Sequence, residues 1–144
     1  MEEAGIPRRR VLLRVVPAVQ TQTIGDTQVR LVSLELYDDG FVANIGLKDL
    51  VERQPSNNPF LAMPGLPQVV FEASDDTGQA YASRQGGGGG GDSEYRFEIV
   101  FSPAIPDGAR TLTLTAVEVQ WLSVAPGQRS RVEPGPWRFE ISLT

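Results

Sequence analysis

The chain has no histidine and no cysteine, and Lys48 is its single lysine. Those absences exclude Ser-His-Asp and Cys-His nucleophile pairs, the common zinc ligand sets, iron–sulfur ligation, haem held by His or Cys, and disulfide stapling. Any catalysis would fall to carboxylates, arginine, tyrosine, Lys48 or hydroxyls, and no catalytic, cofactor or metal residues are assigned. Long apolar runs are also missing. Val11 to Val19 is broken by Arg14 and Pro17 and is too short for a signal-peptide core or a membrane span, so no membrane insertion is expected. Clustered positive charge is confined to Arg8, Arg9 and Arg10 in a chain of net charge -5, which argues against nucleic acid, whose phosphates demand a concentrated cationic surface. With no leader or anchor read in it, the chain as written is expected to be cytoplasmic; as an excised domain it would be extracytoplasmic.

What is abundant points to short strands and tight turns. The 144 residues include 15 glycines and 11 prolines, and residues 11–144 read as one domain behind a flexible segment at 1–10. Val11 to Val16 is a β-branched first strand closed by Pro17, and Gly25-Asp26-Thr27 divides two extended segments. Asp38-Asp39-Gly40 is a hairpin turn of residues that tolerate positive φ. Period-two alternation marks Phe41 to Leu47, Tyr95 to Phe101 and Trp137 to Leu143 as strands with one buried face. Thr111 to Leu122 changes apolar phase part-way, which predicts either a β-bulge near Thr115-Ala116 or burial that passes between the sheets. Lys48 to Arg53 is at most one helical turn before Pro55, Pro59, Pro64 and Pro67. Pro106-Asp107-Gly108 is a turn, and Pro134-Gly135-Pro136 closes a loop. Gly86 to Gly91 offers no side chain to pack and reads as a mobile hairpin tip, replaceable by a two-residue Asn-Gly turn without loss of folding. A phosphate-cradling role is disfavoured, because Asp92 and Glu94 follow it. The expected fold is all-β: an immunoglobulin-like antiparallel β-sandwich of seven to nine strands, with a closed β-barrel as the alternative.

Several segments go beyond periodicity. They are Val29 to Phe41, with its Ser33-Leu34-Glu35-Leu36-Tyr37-Asp38-Asp39-Gly40 run, Asp75 to Tyr81, Phe101-Ser102-Pro103, Thr111 to Leu114, and Gly135-Pro136-Trp137-Arg138-Phe139-Glu140. In this order they resemble bacterial immunoglobulin-like domains of unassigned role, of the kind found in anti-sigma-factor-like and other envelope proteins. The resemblance spans most of residues 18–143. It implies an immunoglobulin-like sandwich, a non-enzymatic role and a bacterial source, and it brings no functional residues with it.

Three sets of residues are candidates for function. The acidic doublets Asp38-Asp39 and Asp75-Asp76, with Asp92 and Glu94, have the chemistry for acid–base work or calcium, but Asp-Asp-x-Gly is first a turn whose carboxylates cap backbone amides. Trp121 and Trp137, with Tyr37, Tyr81 and Tyr95, would serve a carbohydrate-binding module if their rings were exposed, although both tryptophans fall in phase with the core. The proline-rich segment 57–66 carries Phe60, Leu61, Met63 and Leu66, which either tuck over the end of the sandwich or meet a partner. The expected role is a non-catalytic module for protein–protein interaction or structure, meeting another protein through this segment or an edge strand.

Overall fold

The computed structural model describes residues 11–51, 66–90, 94–122 and 130–144. Among these, eight strands form and no residue is helical: β1 (Leu12–Ile24), β2 (Thr27–Tyr37), β3 (Phe41–Asp49), β4 (Leu66–Asp75), β5 (Ala82–Gly90), β6 (Tyr95–Ser102), β7 (Thr111–Leu122) and β8 (Arg131–Ser142). They build two antiparallel sheets, β1-β2-β3-β6-β5 and β4-β7-β8. The sheets face each other as a sandwich, not a closed barrel. Outside the ladders within each sheet, the flank where β4 meets β5 has one isolated bridge, Ser74 to Ala80.

The alternating strands bury the faces their periodicity assigns. Phe41, Ala43, Ile45 and Leu47 of β3, and Phe97, Ile99 and Phe101 of β6, point inward to meet Trp137, Phe139, Ile141 and Leu143 from the second sheet. Each such aliphatic or phenyl side chain contributes about 1.5–3 kcal/mol by leaving water. Phe41 stacks on Phe101 at 4.6 Å between ring centroids and meets Tyr81 edge-on at 5.2 Å.

Mixed phases resolve into bulges. In β2 the register slips between Leu31 and Ser33, so Val29 and Leu31 face inward before it and Leu34 after it. In β7 the extra residue is Val117, one place beyond the predicted site; it swings outward and lets Leu112, Leu114 and Ala116 share the core with Val119 and Trp121.

Four local readings are corrected. Pro17 does not close the first strand: β1 runs on to Ile24, because an edge strand tolerates a residue without an N–H. Gly40 has no positive φ; it is needed because a Cβ there would stand 2.2 Å from the Phe101 carbonyl oxygen. Gly86 to Gly90 are not a hairpin tip but the end of β5, with Gly88, Gly89 and Gly90 opposite Phe97, Arg96 and Tyr95. Pro134-Gly135-Pro136 lies within edge strand β8, where Gly135 lets the chain approach the Ala116 and Val117 carbonyls at the β7 bulge. The turn predicted at Gly25-Asp26-Thr27 is tighter by one residue: Thr27 already opens β2 opposite Ile24, and Gly25 takes φ 58°.

Candidate functional site

The acidic turn after β4 is built from its own sequence. The Asp75 Oδ1 accepts from the Thr77 amide at 2.8 Å, the Thr77 hydroxyl at 2.6 Å and the Gln79 amide at 3.2 Å, while Oδ2 accepts from the Tyr81 hydroxyl at 2.7 Å. Gly78 takes φ 88°, which closes the turn. Asp76 turns the other way and accepts from the Arg110 and Thr111 amides at 2.8 and 3.1 Å, tying this crossover to the start of β7. Burial works to raise the Asp75 pKa, but the donors around it outweigh burial and hold it below the ordinary carboxylate value. The same carboxylate, after burial itself, drives the Tyr81 phenol upward. Asp38 accepts from the Val11 amide at 3.1 Å, so the other doublet is also tied to the backbone beside it. No group of three or more acidic residues is assembled for a metal among the described residues.

Both tryptophans are inside: Trp137 is 0% exposed and Trp121 3%. Their indoles converge on one residue of the opposite sheet, Thr27. The Trp121 Nε1 donates to the Thr27 hydroxyl at 2.9 Å, and the Trp137 Nε1 to the Thr27 carbonyl at 3.2 Å. Neither ring can lie against a sugar, so the carbohydrate-binding alternative loses the exposed tryptophans it required.

Of the loop candidates, Phe60, Leu61 and Met63 lie outside the described residues, and Leu66 opens β4 opposite Leu122. An open cleft of about 530 Å³ begins there, between the β4 and β5 flank and β7, with Val69, Gln85, Tyr95 and Gln120 among its walls. Edge strands, the other predicted route to a partner, are largely occupied. On the β4–β5 flank the Ser83 hydroxyl donates to the Phe71 carbonyl at 3.0 Å, and Gln85 bonds both the Val69 amide and the Pro67 carbonyl. On the opposite flank, side chains of β1 reach the exposed backbone of β8. Arg14 donates to the Leu143 carbonyl at 2.6 Å, Gln20 to the Glu140 carbonyl at 2.9 Å, and Gln22 bonds both the carbonyl and the amide of Arg138.

One feature was not anticipated. Val11, Leu12, Leu13 and Val15 are each more than half exposed, and Val19 is 70% exposed. β1 lies at the sheet edge and buries only Val16 fully. The run Val-Leu-Leu-Arg-Val-Val does not alternate, and at an edge an unalternating run has to leave one apolar face in water; that was the available signal.

A charged cluster lies elsewhere on the outer face of the larger sheet. Arg30, Gly46 and Arg96 stand in one row across β2, β3 and β6, and the Glu94 carboxylate lies over Gly46, where a Cβ would meet it at 2.6 Å. Glu94 pairs with both arginines, at 2.6 and 2.5 Å; burial opposes its charge, but these partners keep its pKa low.

No protein-family model matches the chain, and no curated protein does. Two solved structures match the chain. A conserved domain protein from Bacillus anthracis superposes with a TM-score of 0.60 at 13% identity over 94% of this chain. A DUF4426 family protein from Pseudomonas aeruginosa PAO1 gives 0.46 at 16% identity over 86% of this chain and 96% of its own. The likeness is one of all-β fold alone. This chain spans 49% of the Bacillus anthracis protein, about half its length.

Proposed function

We propose that the chain is a non-catalytic, immunoglobulin-like interaction module. The strand order supports the fold type. From β2 onward, the orders β2-β3-β6-β5 and β4-β7-β8 follow the two-sheet ABED and CFG arrangement of a constant-type immunoglobulin domain, with β1 as one further edge strand. Thr27 of β2, with its two indoles from β7 and β8, ties the two sheets together by side-chain hydrogen bonds. The bacterial, envelope-protein setting belongs to the same proposal and is supported by the strand-and-turn signatures that carry the resemblance.

The observation that carries the role is the apolar strip at Val11 to Val15, since concentrated apolar surface marks contact with other molecules. The non-catalytic part is supported by the chemistry of the chain: no histidine or cysteine is present, and the Asp75 and Asp76 oxygens are engaged by turn donors. Affinity capture from native extract, with wild type and a Leu13→Asp/Val15→Asp variant in parallel, tests the reading. A protein retained by wild type and lost by the variant is expected. Identical sets on both would count against the strip as the contact surface, and hydrolytic turnover that disappears in Asp75→Asn would overturn the non-catalytic reading.

A further inference from the structure

Unspent hydrogen-bonding groups gather at one place on the outer face of the larger sheet. Ser33 of β2, Asn44 of β3 and Glu98 of β6 stand in one row across three strands, and Arg96 stands in the neighbouring row opposite Gly46. With Val32, the extra residue of the β2 bulge, they line an open cleft of about 410 Å³. Small-molecule sites run from about 300 to 1,000 Å³, so the cleft has room for a sugar-sized ligand. We propose that this cleft binds a neutral saccharide through hydrogen bonds to the hydroxyls of a sugar ring. The site is separate from the β1 strip and does not depend on it.

The side chains around the cleft are held from behind. The Asn44 Nδ2 donates to the Ser33 Oγ at 3.0 Å and to the Glu35 Oε2 at 3.1 Å, and the Tyr37 hydroxyl donates to the other Glu35 oxygen at 2.6 Å. Both amide hydrogens of Asn44 are spent, which leaves its Oδ1 as an acceptor. Ser33 accepts from Asn44 and keeps its own proton to donate. Glu94 takes the Arg96 Nε, which leaves both terminal guanidinium nitrogens as donors. Glu98 is exposed, and its carboxylate has no partner among the described residues. Groups fixed in this way lose little freedom when they bind.

Two donors and two acceptors side by side select the ligand. A cation would face Arg96, and an anion would face Glu98 with Glu35 and Glu94 behind it, so neither charge finds matching walls. A hydroxyl both donates and accepts. Adjacent hydroxyls of one ring therefore suit a carboxylate or amide oxygen on one side and a guanidinium on the other. This mode differs from a tryptophan platform. Phe97 lies under the cleft with its ring in the core, so no aromatic face stacks on the sugar. Affinity then rests on hydrogen bonds exchanged against water, and the Kd is about millimolar.

Amide chemical-shift mapping by NMR tests the proposal, with maltose, cellobiose, lactose and diacetylchitobiose as neutral probes, glucuronate as the anionic one and glucosamine as the cationic one. At tens of millimolar, at least one neutral disaccharide is expected to shift Ser33, Asn44, Arg96 and Glu98 saturably. Glu98→Ala, at an exposed side chain without a partner, should fold normally and weaken binding by about tenfold, the loss of one charge-assisted hydrogen bond. Arg96→Ala should do the same, and Arg96→Lys, which keeps the charge but not the fork, should recover only part of the loss. Leu13→Asp should leave the titration unchanged. No saturable shift with any neutral sugar overturns the proposal, as do shifts that survive both alanine variants. Tighter binding of glucuronate or glucosamine than of every neutral sugar overturns it too, by assigning the cleft to a charged ligand. Failure here leaves the strip as a protein contact standing, because that reading is lost only through Leu13→Asp/Val15→Asp in the capture experiment.

Discussion

Thr27 shows how much one small polar residue can carry. It is fully buried, and its hydroxyl and carbonyl accept the two indole N–H groups from the facing sheet. Thr27→Val keeps the shape but leaves the Trp121 Nε1 without its acceptor, and a buried unsatisfied donor costs about 1–3 kcal/mol. Urea denaturation followed by tryptophan fluorescence should show that loss with an unchanged m-value. Asp75 makes a second prediction at this scale. Its folded pKa lies below the ordinary carboxylate value, so on acidification the unfolded chain takes up a proton that the folded state refuses. The stability this carboxylate contributes is therefore present above about pH 4 and lost as pH falls through the lowered folded value. Asp75→Asn should flatten part of the acid limb of a stability-versus-pH curve. Asp76 and Glu94, shifted in the same direction, keep the remainder.

Among the elements, β5 makes the sharpest prediction. Gly88 and Gly89 are neighbours in one strand, but a Cβ on Gly88 would stand 2.3 Å from the Arg96 carbonyl oxygen and 2.4 Å from the Phe97 Cβ, whereas one on Gly89 meets nothing within 4 Å. Gly88→Ala should destabilise by about 1–3 kcal/mol through overpacking against backbone, and Gly89→Ala should stay within about 0.5 kcal/mol of wild type. Thermal denaturation of the pair checks this, and equal effects would contradict the pairing of β5 with β6. Replacing the six glycines by an Asn-Gly turn should now cost stability, because it deletes paired residues. β5 also shows where the sequence could be read and where it could not. Tyr95 to Phe101 and Trp137 to Leu143 announce themselves because one face meets the core and the other water, which writes a period of two into the chain. The glycine tract and Pro134-Gly135-Pro136 have the local composition of loops. Their strand state is imposed by a neighbour, Phe97 in one case and the β7 bulge in the other, and no local pattern records it. The convergence on Thr27 was hidden for the same reason, with partners 94 and 110 residues away. The exposed strip on β1 was misleading in another way, since an apolar run reads as core until its strand is known to lie at an edge.

Across the whole molecule, the two sheets leave four edges, and an uncovered edge recruits other strands. This sandwich covers its flanks with side chains instead of closing into a barrel. Gln20 and Gln22 occupy β8 carbonyls at Glu140 and Arg138, and Ser83 and Gln85 do the same for β4. The Gln20 and Gln22 bonds lie at the surface, where each contributes about 0.5–1.5 kcal/mol. Their larger effect is on what the edge can do next. A Gln20→Ala/Gln22→Ala variant removes three such bonds and should remain folded, losing at most about 4.5 kcal/mol, yet expose the β8 carbonyls and the Arg138 amide to an incoming strand. Light scattering on concentrated protein, under conditions where wild type and variant are equally folded, should show faster aggregation for the variant. Combining it with Leu13→Asp separates the two surfaces. If aggregation proceeds through the β8 edge it persists in the triple variant, and if it proceeds through the β1 strip it disappears.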